Sequence, residues 1–167
     1  MDKAAGAIEY VTLIEYNNWA NSRLLDTAEK IPADLLRTGT LTRGNALQTL
    51  EHMLDAEWVW RMSCIGQTYN DDLWKIEPFA DLASLRAYWQ AESQQLLMLV
   101  RSFTEADLER KVLPNWTDEL IKIKYVLLHV VNHATNHRSE IGWFFHQLGY
   151  SPGDLDLSDY ILFFRDK

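Results

Sequence analysis

Four long segments with a helical apolar period, clear breaks between them and no strand alternation of any length make this 167-residue chain an all-α protein. Helices of roughly 20 to 30 residues joined by turns pack as an antiparallel-type bundle. The predicted architecture is therefore a four-helix bundle with a long connection and a short C-terminal helix. No repeat or interdomain linker divides it, so residues 1–167 read as one domain.

The first helix runs from about Ala7 to Lys30, its apolar stripe carried by Val11, Ile14, Ala20, Leu24, Leu25 and Ala28. It stops at Ile31-Pro32, because proline cannot continue a helix and restricts the residue before it. The second starts at Asn45, a residue suited to the N-cap, and runs through Leu47, Leu50, Leu54, Trp58 and Arg61 to Gly66, suited to the C-cap. The connection 67–79, with Asn70, Asp71, Asp72 and Pro78, is long for a tight hairpin and is expected to cross the bundle or form a lid. A third helix spans about Asp81 to Phe103, followed by a loop or short extended pair around Val112 to Trp116. The fourth is expected from Thr117, read as its cap, to Leu148-Gly149. The tail SPGDLDLSDYILFFRDK reads as a loop and a closing helix.

Composition removes several function classes. The formal charge of −8 disfavours nucleic acid as a partner, since a polyanion is repelled. No segment has the uninterrupted apolar length of a membrane span, and the first twenty residues lack the pattern of a signal peptide. The single cysteine, Cys64, excludes an internal disulfide and agrees with a reducing cytoplasm; between Met62 and Ile65 it reads as an apolar filler. Seven Trp and seven Tyr favour a core or pocket rich in aromatic surface.

Chemistry concentrates in histidine. In HVVNHATNHRSE, His133 and His137 stand one turn apart on one helix face, beside the core stripe of Val126, Val130, Ala134, Ile141 and Phe144. A buried imidazole needs partners for both nitrogens, at a cost of roughly 1–3 kcal/mol for one left unpaired. A divalent cation takes one nitrogen from each ring. His52, in TLEHMLDAEWVW on the second helix, is the candidate third ligand, and three protein ligands leave a position open for water or substrate. The alternative is that these are hydrogen-bonded packing histidines. His129 lies one further turn back, but each four-residue step drifts about 40° around the helix, so it reads as a neighbour of the site or a bundle-edge residue. His146 reads as a polar residue favourable to the helix C-terminus.

These segments resemble the DinB (DinB/YfiT-like) family of bacterial four-helix-bundle proteins. The likeness covers nearly the whole chain, through EYNNWANSRLL, TLEHMLDAEWVWRMSCIG and LLHVVNHATNHRSEIGWFFHQLGYSPGDLDLSDY. It implies a bundle with an unusual crossover, often a homodimer, holding one divalent ion per chain, nickel and zinc foremost, on His52, His133 and His137. The chain departs from the family where HRGQI is common: Ser139 stands for the glycine and Glu140 for the amide.

Wider relatives include thiol-dependent enzymes. The resemblance thus implies a metal-dependent enzyme acting on a small molecule, as a hydrolase or as a transferase of a low-molecular-weight thiol. The other reading is a non-catalytic metal-binding or stress-response protein. No general acid or base is evident. Asp55, three residues from His52, is placed to reach toward the site, whereas Glu57 points elsewhere; each is expected to be an exposed or salt-bridged carboxylate. Arg138 turns about 100° from His137 and reads either as an anion contact or as a structural ion pair. Tyr16, Trp19, Trp58 and Trp60 are expected to pack in the core more than to line a pocket.

Overall fold

The computed structural model describes residues 8–67, 69, 71–76 and 79–165; Ala7, Asn70 and Pro78 lie outside the described residues. The elements in order are α1 (Ile8–Ala28), a 3-10 turn (Leu35–Arg37), α2 (Ala46–Cys64), α3 (Leu73–Ile76), α4 (Leu82–Ser102), α5 (Glu105–Glu109), β1 (Lys111–Val112), β2 (Ile121–Lys122), α6 (Ile123–Gln147) and α7 (Leu157–Phe163). No helix among the described residues is long and apolar enough to cross a membrane.

Local chemistry explains most boundaries. Asn45 caps α2 through a reciprocal box: its side chain accepts from the Gln48 N–H while the Gln48 side chain accepts from the Asn45 N–H, both at 3.0 Å. Asp81 and Ser84 build the same device at the start of α4. After α2 the chain turns at Gly66, whose φ of +72° suits a residue without Cβ.

The start of α6 corrects the expectation at Thr117. The helix begins at Ile123, because residues 121–122 pair antiparallel with 111–112, Lys111 opposite Lys122 and Val112 opposite Ile121. Buried Val112 and the adjacent Ile121 suit that pairing, and the Ile123 N–H then donates to the Arg110 carbonyl. The Thr117 hydroxyl is used in a local turn, accepting from the Glu119 N–H.

Around the bundle α1 packs on α4 and α6, and α2 packs on the same two helices. Helices α1 and α2, consecutive in sequence, are therefore diagonal, as are α4 and α6. The crossing connections are thus 29–45 and 103–122, while the link 65–81 joins the neighbours α2 and α4. This relocates the crossing, one of the two expectations for 67–79; of that link, Leu73 is tucked into the core, while Tyr69, Asp71, Asp72 and Lys75 line a cavity shared with His52 and His133. Link 29–45 lies against α6: a Cβ on Gly39, at φ +76°, would stand 2.6 Å from the Phe144 ring.

Two apolar clusters fill the interior, one around Leu50, Leu54, Trp89 and Phe145, the other around Ile14, Leu96, Val126 and Leu127. Between them runs a layer of buried polar side chains: Asn17 and Asn21 on α1, Glu57 on α2 and Arg138 on α6. Arg138 Nη1 donates to Asn17 Oδ1 at 2.7 Å and to Asn21 Oδ1 at 2.8 Å. The Asn17 amide donates on to Glu57 Oε2, which also accepts from the Trp89 indole, and Ser93 donates to Glu57 Oε1. Glu57 and Asp55 are thus buried, not exposed as expected.

Burial pushes the Glu57 carboxyl up to about 7, against the lowering effect of Ser93, Trp89 and Arg138. The folded state therefore binds this proton more tightly than the unfolded chain does. The associated stability is fully present below about 4.5 and is lost as pH rises through about 7. A difference on the order of 3 kcal/mol between Glu57→Gln and the parent should open across that window, read from urea unfolding at both ends. Equal pH slopes in the two proteins would contradict the assignment. Glutamine fits the same partners, its oxygen facing Asn17 and Trp89 while its amide donates to a reversed Ser93 hydroxyl.

Candidate metal centre

The packing of α2 against α6 brings together the three histidines singled out in the sequence. His52, His133 and His137 each offer a ring nitrogen, and these nitrogens lie within 4.8 Å of one another. His52 Nε2 and His133 Nε2 are 3.0 Å apart. The rings meet edge to face, with centroids 4.9 Å apart for 52/133, 5.0 Å for 52/137 and 4.6 Å for 133/137. His137 is buried and the other two half-buried.

Electrostatics keep the first two rings neutral. Burial, with repulsion from Arg43 and His137, holds His52 down to about 4. Burial and the neighbouring imidazoles hold His133 down to about 3. Neutral imidazoles carry the lone pair that a metal ligand needs.

One residue read only as a charge departure takes a definite place here. Glu140 Oε2 lies 3.2 Å from His137 Nδ1. Its other oxygen accepts from the Thr42 N–H, and the Thr42 hydroxyl donates to Oε2 at 2.8 Å. Partial burial would raise this carboxyl, but Thr42 and His137 outweigh it and hold it below its ordinary value. The 29–45 crossover therefore fixes Glu140, and Glu140 orients His137. Its i, i+3 spacing from His137 was the available signal; Thr42 gave none.

A cavity of about 770 Å³ opens on His52 and His133. Asp55 lines it, one oxygen accepting from the Leu73 N–H at 2.6 Å. Burial pushes its carboxyl up to about 6, opposed by that N–H. Trp60 and Trp116, edge to face with centroids 4.9 Å apart, form an aromatic wall beside His129. Trp60 thus lines the pocket as well as packing in the core, while Trp58 belongs to the core, as expected. His129 shares the cavity outside the three-nitrogen cluster, its ring centroid 5.6 Å from that of His133.

Arg138 lines a separate cavity of about 380 Å³ together with Tyr16 and Thr135. It turns away from the histidines into the polar layer, where Asn17, Asn21, Thr135 and Tyr16 face its guanidinium. Cys64 is fully buried and its thiol is pushed up to about 12 by burial, as suits a filler.

The fold and site define a helical bundle carrying a cluster of three imidazoles, two of which line a cavity. The family model for the DinB family matches residues 1–163, and the chain belongs to that family. It is 22% identical over 158 residues to Protein DinB of Bacillus subtilis (strain 168), covering 89% of this chain and 91% of that protein. Among solved structures it is similar to YfiT from Bacillus subtilis, described as a probable metal-dependent hydrolase with an unusual four-helix bundle topology. That match has a TM-score of 0.65 at 19% identity and covers 83% of this chain and 87% of that one. YjoA, a DinB-like protein of the same organism, matches with a TM-score of 0.63 at 16% identity, covering 83% of this chain and 93% of that one. At these identities the likeness shows a shared fold.

Proposed function

We propose that this chain is a metalloenzyme of the hydrolase type, in which His52, His133 and His137 hold one divalent ion and a small molecule enters the adjoining cavity. The observation that carries the reading is the facing pair of nitrogens, His52 Nε2 and His133 Nε2, 3.0 Å apart. Two ligand nitrogens on a tetrahedral zinc-like ion stand about 3.3 Å apart, so a small outward adjustment accommodates the cation. With Nδ1 of His137 engaged by Glu140, its Nε2 is the nitrogen offered to the ion. Three imidazoles suit zinc and nickel alike. When bound, such an ion supplies Lewis acidity at a position left open for water or substrate.

The chain's own groups divide the remaining work. Glu140 accepts the His137 Nδ1 proton and fixes the tautomer. Asp55, with one oxygen tied to Leu73, has the other to take up or return a proton, and a value of about 6 poises it for that task near neutrality. Trp60 and Trp116 hold apolar substrate surface. The likeness to YfiT, described as a probable metal-dependent hydrolase, favours hydrolysis over thiol transfer. A homodimer in the cytoplasm is part of the same proposal, and sedimentation checks the dimer.

Elemental mass spectrometry of gently purified protein tests the site: near one divalent ion per chain is the expected result, and none after reconstitution with zinc or nickel defeats the reading. Asp55→Asn should keep that metal while lowering hydrolysis of p-nitrophenyl acetate by ~10²–10⁴-fold. Unchanged turnover would remove Asp55 from the chemistry.

A further inference from the structure

The charged side chains around the histidine cavity are Arg43, Lys75, Asp55, Asp71 and Asp72. Lys75 is already engaged, its ammonium 2.6 Å from Asp71 and 3.1 Å from Asp72. Asp55 is tied to the Leu73 N–H. Arg43 is different: it is exposed on the cavity wall, and among the described residues no hydrogen bond or ion pair engages its side chain. Even Glu51, which meets Arg43 and His52 at a neighbouring opening, is acted on by Arg37 instead.

The crossover 29–45 sets where Arg43 stands. Leu41 and Gly44 bridge one another, the Gly44 N–H donating to the Leu41 carbonyl at 3.1 Å, so Thr42 and Arg43 form the tip of a tight turn. Thr42 in turn is fastened to Glu140 through its N–H and its hydroxyl. The guanidinium is close enough for its charge to disfavour protonation of both His52 and His133. The same cavity carries Trp116, which is 55% exposed and meets Trp60 edge to face. An occupant therefore reaches Arg43 and Trp116 from solvent, with no movement of the fold.

We propose that the substrate of this site is a small monocarboxylate with a flat apolar body, its carboxylate on Arg43 and its body on Trp116. A guanidinium without a partner meets a carboxylate as a fork, through two parallel N–H donors. One free cation among three carboxyl groups suits a single negative charge better than a phosphate dianion. The proposal rests on the metal-site reading for the reaction, and on Arg43 and Trp116 for the binding.

The experiment titrates the full-length protein, zinc-loaded and chelated, with phenylacetate and with neutral phenylacetamide at neutral pH. The Trp116 indole NMR signal reports binding, and elemental analysis of the same samples reads the metal separately. Phenylacetate should shift that signal saturably in both samples and bind about five- to tenfold tighter than phenylacetamide, an advantage that added salt erodes. Arg43→Gln should remove the advantage while leaving phenylacetamide binding unchanged, which a misfolded variant would not do. Arg43→Lys should restore part of it. No saturable shift, equal binding of the two probes, an advantage confined to the zinc-loaded protein, or one that survives Arg43→Gln overturns the proposal. Tighter binding of phenyl phosphate than of phenylacetate does so too. An intact advantage in protein that takes up no metal would support the carboxylate site and remove the metal reading alone.

Discussion

His133→Ala should strip the protein of stoichiometric divalent metal while the bundle stays folded. The ring is half-buried and its Nε2 faces His52 Nε2, so truncation removes a ligand without opening the core. Loss of an outer-shell partner typically costs 10–100-fold in metal affinity, and loss of a ligand should exceed that range. Glu140→Gln should fall within it, because the amide can no longer hold the His137 Nδ1 proton as a charged acceptor does. His129→Ala is the matched control: it lies on the same helix and in the same cavity but outside the three-nitrogen cluster, so metal content should not change. Dialysis followed by elemental analysis, with circular dichroism to verify folding, orders the three variants. Full metal in His133→Ala, or loss in His129→Ala, would mean that the ion sits elsewhere.

What was legible in the sequence was what is decided locally. Asn45 and Gly66 bound α2 because capping and positive φ involve only nearby residues. The His133/His137 pair was legible because helical geometry alone puts them on one face. Thr117 misled for the complementary reason: its capping signal was overruled by pairing between residues eleven apart, Lys111 and Lys122. The length of link 67–79 was visible, but which helices become neighbours depends on how apolar faces pack, so the crossing fell at 29–45 and 103–122. That choice brings Thr42 to Glu140, a contact no spacing rule announces. From the sequence, Glu57 reads as an exposed or salt-bridged carboxylate, and Arg138 as an anion contact or an ion pair, because spacing along one helix names no partner on another. Their partners, Asn17, Asn21, Trp89 and Ser93, come from α1 and α4.

Arg138→Ala should destabilise the fold by about 3–5 kcal/mol. One nitrogen of this buried guanidinium serves both Asn17 Oδ1 and Asn21 Oδ1, and the other donates to Thr135 at 2.8 Å. Truncation leaves the two amide carbonyls without that donor, at roughly 1–3 kcal/mol each, and adds a void. It also removes a positive charge that lowers Glu57, so that carboxyl should rise further. Arg138→Lys keeps the charge but loses the planar fork, and a loss of about 1–3 kcal/mol is expected. Urea midpoints provide the measurement, and a loss below about 1 kcal/mol for alanine would show that the layer is satisfied in some other way. Coupling supplies a stricter check: once Glu57→Gln removes the buried acid, Arg138→Ala should cost less than it does in the parent. The surviving folded fraction of Arg138→Ala should bind metal with ordinary stoichiometry, since the guanidinium faces away from the three histidines. Ordinary metal content in that variant would assign Arg138 to the scaffold and leave it outside the proposed metal site.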